Sequence, residues 1–168
     1  ITYPFQGEQT LVGGIEIYHA IHTQNETRAP IRTMLITELD EVPTLIASYT
    51  CTPLVTIPLS EIREGNKITG NTIAELGYGN TPVDMLTYIT QENDGSPDQK
   101  LMITHKHRSG ALISMKDVAE ASKGEGLAGK KGLSGMPEGI PNYSLPTSTV
   151  IQVDDQNQMM LAMLKRNL

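Results

Sequence analysis

The sequence predicts an all-β protein of short antiparallel strands, arranged as about three blades of a β-propeller. Three observations carry this. Two twenty-residue stretches share one pattern at an offset of 56 residues: "PTLIASYTCTPLVTIPLSEI", from Pro43 to Ile62, and "QKLMITHKHRSGALISMKDV", from Gln99 to Val118. Leu45 and Ile57 of the first match Leu101 and Ile113 of the second. Much of each stretch is continuously apolar rather than alternating, the pattern of strands covered on both faces, and neighbouring blades supply such cover in a propeller. The links between strands are rich in turn formers, as in "QENDGSPD". An irregular sandwich of two small sheets would give the same short strands and stays open as the alternative.

Taken in chain order, "LVGGIEIYHAIH" reads as a strand entered through a flexible Gly-Gly; a short helix there lacks length and caps. "TQNETRAP" is a polar loop, and "IRTMLITEL" a strand leading across the acidic link "DEV" into the first stretch. "IPLSEIREGNKITGNTIAELG" holds an outer strand and the passage to the next unit, which "PVDMLTYIT" opens. Residues 119–145 carry many Gly, Lys, Ser and Pro and read as a long surface loop. "STVIQVD", "DQNQ" and "MMLAML" form a third, partial unit. The expected blades are thus 9–62, 68–118 and a partial 146–168 within a single propeller portion.

With 168 residues the chain is long enough for one real core. It has no Trp and one Phe, so Leu, Ile, Val and Met must fill that core. The net charge of −6 argues against nucleic-acid binding, which wants a basic face. No run is apolar and long enough to span a bilayer. Cys51 is the single cysteine, so no internal disulfide forms, and it reads as a small buried hydrophobe.

"NTPVDMLTYI" followed by "QKLMITHKHRSGALISMKDV" resembles a blade of the bacterial secreted seven-bladed β-propeller repeat proteins. The matching elements are Pro82, Val83, Asp84 and Met85, then Arg108, Ser109 and Gly110, then Lys116, Asp117 and Val118. The first unit departs at the tip, with Cys51, Thr52, Pro53 and Leu54 in place of His107, Arg108, Ser109 and Gly110. The resemblance implies a periplasmic or extracellular protein. Three blades do not close a ring. The expectation is therefore a fragment, one chain of a split protein or an assembling protomer, with the remaining blades from the same parent polypeptide or another chain. A start without Met fits a mature or clipped product.

Two polar clusters stand out. His19, His22, Glu26 and Arg28 mix acid, base and charge within a short stretch. Two histidines followed by a glutamate suit a facial metal site, and Arg28 could instead pair with Glu26. His105, His107 and Arg108 form the other cluster. His105 and His107 alternate by two and would share one strand face, offering two nitrogens to a metal, with His19 or His22 as a third ligand. Lys106 and Arg108 beside them suit an anionic group better. The simplest reading is a solvent-facing strand tip. Asp84 is expected to cap a turn by accepting backbone N–H groups. "GEGLAGKKGLSG" does not match a phosphate loop.

Two functions follow: a binding or structural propeller module, or a propeller-type enzyme, a metal-dependent hydrolase or oxidoreductase, with its site near His19, His22 and Glu26. The fold does not choose between them, and no cofactor is specified.

Overall fold

The computed structural model describes residues 14–51, 53–63, 65, 67–77, 81–132, 136–145, 148–155 and 161–165. Strands hold 58% of these residues and helices 8%, which meets the all-β expectation.

The first sheet begins with a hairpin of β1 (Gly14–His19) and β2 (Gln24–Glu26). An antiparallel meander follows: β3 (Ile31–Leu39), β4 (Val42–Tyr49), β5 (Pro53–Pro58) and β6 (Lys67–Glu75). β1 lies parallel to the start of β6, so the order is β2-β1-β6-β5-β4-β3. The sheet therefore runs past the expected blade edge at residue 62 and includes one parallel pair. The second sheet is a meander of β7 (Pro82–Gln91), β8 (Pro97–His105) and β9 (Ala111–Ser114). β12 (Val150–Asp155) and β13 (Leu161–Lys165) form a separate hairpin, as the closing partial unit predicts.

Local chemistry explains the turns. Asp40 and Glu41 join β3 to β4 with φ of 47° and 66°, the doubly positive two-residue turn that matches strand twist. Between β7 and β8, Asp94 accepts from the Ser96 N–H at 2.9 Å and from its hydroxyl at 2.6 Å, while Gly95 takes φ of 82°.

The two meanders share one register between their second and third strands. Leu45 faces Ile57 and Leu101 faces Ile113; Ile46 faces Thr56 and Met102 faces Leu112. The first hairpins differ. Ile36 faces Leu45, whereas Thr87 faces Leu101, because the β7–β8 connection is longer.

Apolar residues fill three layers. Ile46, Leu54 and Ile73 of the first sheet meet Leu101, Ile103 and Ile113 of the second. Ile17, Leu45, Tyr49, Val55, Ile57 and Ile68 cluster on the other face of the first sheet. Met102 joins Val150 and Val153 beneath the closing hairpin. Thr44–Tyr49 of β4 are buried without a break, as the continuous apolar sequence demands.

Three expectations are corrected. Residues 119–145 are not a loop throughout. The helix α1 (Met115–Ser122) buries Met115 and Val118, and Asp117 sits in its first turn, where a carboxylate complements the helix dipole. In the first unit the matching position, Leu59, opens a 3-10 turn over Leu59–Glu61, so both units leave their third strand helically. Beyond α1, β10 (Glu138–Gly139) pairs with β6 and β11 (Tyr143–Ser144) with β9. The glycines that read as breakers serve as left-handed turn positions, Gly126 at φ 57° and Gly129 at φ 73°. The strap between them is bonded to the sheet: Leu127 N–H donates to Thr72 O, Gly132 N–H to Ala20 O, and the Asn71 amide to Gly124 O at 2.9 Å.

The second correction concerns the basic tip. β8 ends at His105, which is 2% exposed, and Lys106, His107, Arg108 and Ser109 after it face solvent. His105 and His107 therefore do not share a strand face, because the chain bends after His105. Third, Cys51 is exposed rather than buried. It sits in the turn after β4 with φ of 77°, a conformation the packed strands on either side do not use.

Candidate functional site

The β1–β2 hairpin assembles the first predicted cluster by strand geometry. His19 faces Gln24 across the ladder, and Ile17 faces Glu26. Side chains alternate along each strand, so Ile17, His19, Gln24 and Glu26 share one face. Ile17 and His19 are both buried, which fixes that face toward the core. His22 comes from the turn, four residues before Glu26.

Glu26 Oε1 is the focus. His22 Nδ1 lies 2.7 Å from it, His19 Nδ1 3.1 Å, and the Gln24 amide donates at 3.3 Å. The two imidazole centroids are 4.0 Å apart at a tilt of 47°. Burial alone would raise the Glu26 pKa, but the hydrogen bonds from His22, Gln24 and His19 together lower it below the usual carboxylate value.

A fourth group completes the cluster. Glu75, at the end of β6, is fully buried and accepts the Ala20 N–H at 2.8 Å. Its Oε2 is 3.7 Å from His19 Nε2. Glu75 escaped the sequence reading because it lies far along the chain. Its only signal was an acidic residue inside the apolar run "NTIAELG".

These residues border a cleft of about 420 Å³ with Thr27, Arg28, Ala29, Pro30, Thr50 and Cys51. Among the described residues Arg28 makes no ion pair with Glu26, whose carboxylate the histidines occupy. Arg28 stands on the cleft rim instead. Tyr18, on the opposite face of β1, donates its hydroxyl to Lys130 O at 2.8 Å and is taken by the strap.

His105, His107 and Arg108 line a different cleft, of about 510 Å³, with Ser109, Ser144 and Ser148. His19 and His22 do not reach it. His105 Nδ1 donates to Ser109 O at 3.0 Å, and its buried Nε2 has no hydrogen-bond partner among the described residues. Burial pushes the His105 pKa down; the Ser109 carbonyl opposes this and Arg108 adds to it. Asp84 lies inside β7, beside the register shift between Pro82 and Asp84, rather than in the expected turn; it accepts Met85 N–H at 2.9 Å and Val153 N–H at 2.9 Å.

A larger cleft, of about 690 Å³, separates α1 from the first sheet and is bordered by Thr56, Gly70, Asn71 and Ser122. No sequence motif marked it. No family model, curated protein or solved structure matches the chain.

Proposed function

We propose that this chain is a β-propeller module of a larger or split secreted protein and acts as a binding or structural scaffold. One observation carries the reading. The first strands of the two meanders, β3 and β7, and the first strand of the closing hairpin, β12, lie side by side in chain order, β3 against β7 and β7 against β12. The sheets also stack face to face through the apolar layers. Blades arranged around an axis have this relationship, with first strands innermost.

Two further features support it. The second and third strands of both meanders pair in one register, as repeated blades would. β3 is an edge strand whose outward side chains include Met34 and Ile36, 60% and 64% exposed. An edge with apolar side chains is a site for further pairing or cover. In this reading the remaining blades, from the same parent polypeptide or another chain, provide that cover. Periplasmic or extracellular placement goes with the resemblance, and fractionation of the source cells tests it.

Light scattering and negative-stain imaging test the module. The isolated chain is expected to self-associate through the β3 side, and Met34→Lys with Ile36→Lys to suppress this. A compact monomer that unfolds cooperatively and is unchanged by both substitutions overturns the reading.

A further inference from the structure

We propose that His19, His22 and Glu26 bind one divalent metal ion of the zinc class, and that Glu75 orients His19 for that role. One candidate ligand atom from each of the three lies within 4.8 Å of the others. The contacts of 2.7 and 3.1 Å at Glu26 Oε1 would need to open only slightly to reach the roughly 3.4 Å spacing of tetrahedral ligand atoms each about 2.1 Å from zinc.

The independent observation is His19 Nε2. It is buried, and among the described residues no hydrogen-bond partner satisfies it. While Nδ1–H donates to Glu26, Nε2 presents a bare lone pair toward Glu75 Oε2 at 3.7 Å. Two electron-rich atoms then face each other in the core, an arrangement that costs free energy. The other tautomer reverses the fault: Nε2–H meets Glu75, but the Nδ1 lone pair meets the Glu26 carboxylate. Two arrangements remove both conflicts: a second proton, giving an imidazolium that donates to Glu26 and Glu75, or a cation between Nδ1 and Glu26, and the site's two imidazoles and carboxylate within 4.8 Å favour the cation. His19 then gives Nδ1 to the metal and Nε2–H to Glu75, the carboxylate–histidine–metal relay of many metal centres.

Charge and ligand type agree. Glu26 and Glu75 supply two negative charges to balance a divalent ion. Two imidazoles and a carboxylate favour zinc-like ions over magnesium or calcium. Three protein ligands leave coordination positions open. The three residues line one cleft with Arg28 and Cys51, a route by which a water or an anionic ligand would reach an ion held there.

The experiment is titration of the full chain with zinc by calorimetry and with cobalt by visible absorption, with the His19 nitrogens followed by NMR. One ion per chain is expected, and the metal moves the His19 proton from Nδ1 to Nε2. His22→Ala changes a half-exposed turn residue, so it folds even where His19→Ala does not; it and Glu26→Gln should abolish the cobalt band. Glu75→Gln should weaken binding about 10- to 100-fold, and His107→Ala should leave it unchanged. A metal-free His19 protonated on both nitrogens, with no saturable uptake of either ion, overturns the proposal. So does uptake that survives His22→Ala and Glu26→Gln.

Discussion

Asp84 Oδ2 accepts the backbone N–H of Val153 at 2.9 Å, joining β7 to the closing hairpin across 69 residues of sequence. Its other oxygen accepts Met85 N–H. The carboxylate thus satisfies two backbone donors and fixes where β12 docks, with Val153 buried on Met102. Asp84→Ala should cost about 1–3 kcal/mol, the range for losing a charged acceptor to a buried donor. Hydrogen exchange should accelerate over Val150–Asp155 and stay unchanged in β4 and β5. Uniform acceleration would mean that Asp84 supports the whole fold rather than the hairpin.

Gly70 marks a close approach within the first sheet's outer core. A Cβ there would lie 2.5 Å from Val55 Cγ1 and 3.4 Å from both Ile17 Cγ2 and Ile57 Cγ1. Gly70→Ala should destabilise by about 1–3 kcal/mol through overpacking. Adding Val55→Ala should recover part of this, because the two side chains compete for one space. Urea denaturation of the single and double variants checks both statements.

The ion pair of Asp98 with Lys100 sets a pH dependence. Asp98 is buried and Lys100 largely so. The Lys100 ammonium holds the Asp98 carboxyl below its usual value, and Asp98 in turn raises Lys100. A lowered carboxyl contributes stability above its unfolded value near pH 4, lost as pH falls through the folded value. A raised lysine contributes below its unfolded value of about 10.4, lost as pH rises through the folded one. Asp98→Asn should therefore lower stability near neutrality and flatten its slope on both the acid and alkaline flanks. Stability measured against pH for both proteins provides the check.

The strand order within each meander was legible because local apolar runs and turn formers act over a few residues. Thr44–Tyr49 were read as doubly covered and are. The His19, His22 and Glu26 grouping was legible because one hairpin brings it together. Glu75 was not, since its place depends on β1 lying parallel to β6, a pairing between distant segments that no local pattern encodes. The strap after α1 was missed for a related reason. Its glycines look like breakers until Thr72, Asn71 and Ala20 supply the bonds that hold them. His105 was misread because a basic neighbourhood suggested solvent. Only Lys106, His107 and Arg108 follow that rule, while the strand keeps His105 inside.

That burial gives His105 a measurable role in acid. Its Nδ1–H is committed to Ser109 O, and its Nε2 is buried without a partner among the described residues. Adding a proton there places a charge in the interior beside Arg108, so burial lowers the pKa from its usual value near 6.5. Below about pH 6.5 the unfolded chain binds a proton that the folded chain refuses, and stability falls with pH until the folded value is reached. His105→Gln removes the titrating group. The variant should lose some stability at neutral pH, where the bond to Ser109 is disturbed, yet decline less steeply between about pH 6.5 and 5. Thermal unfolding of both proteins across that range, with the His105 ring signals followed by NMR, tests the assignment. A parallel decline in the two proteins, or a His105 titration at the unperturbed value, would show that the buried ring does not carry this acid sensitivity.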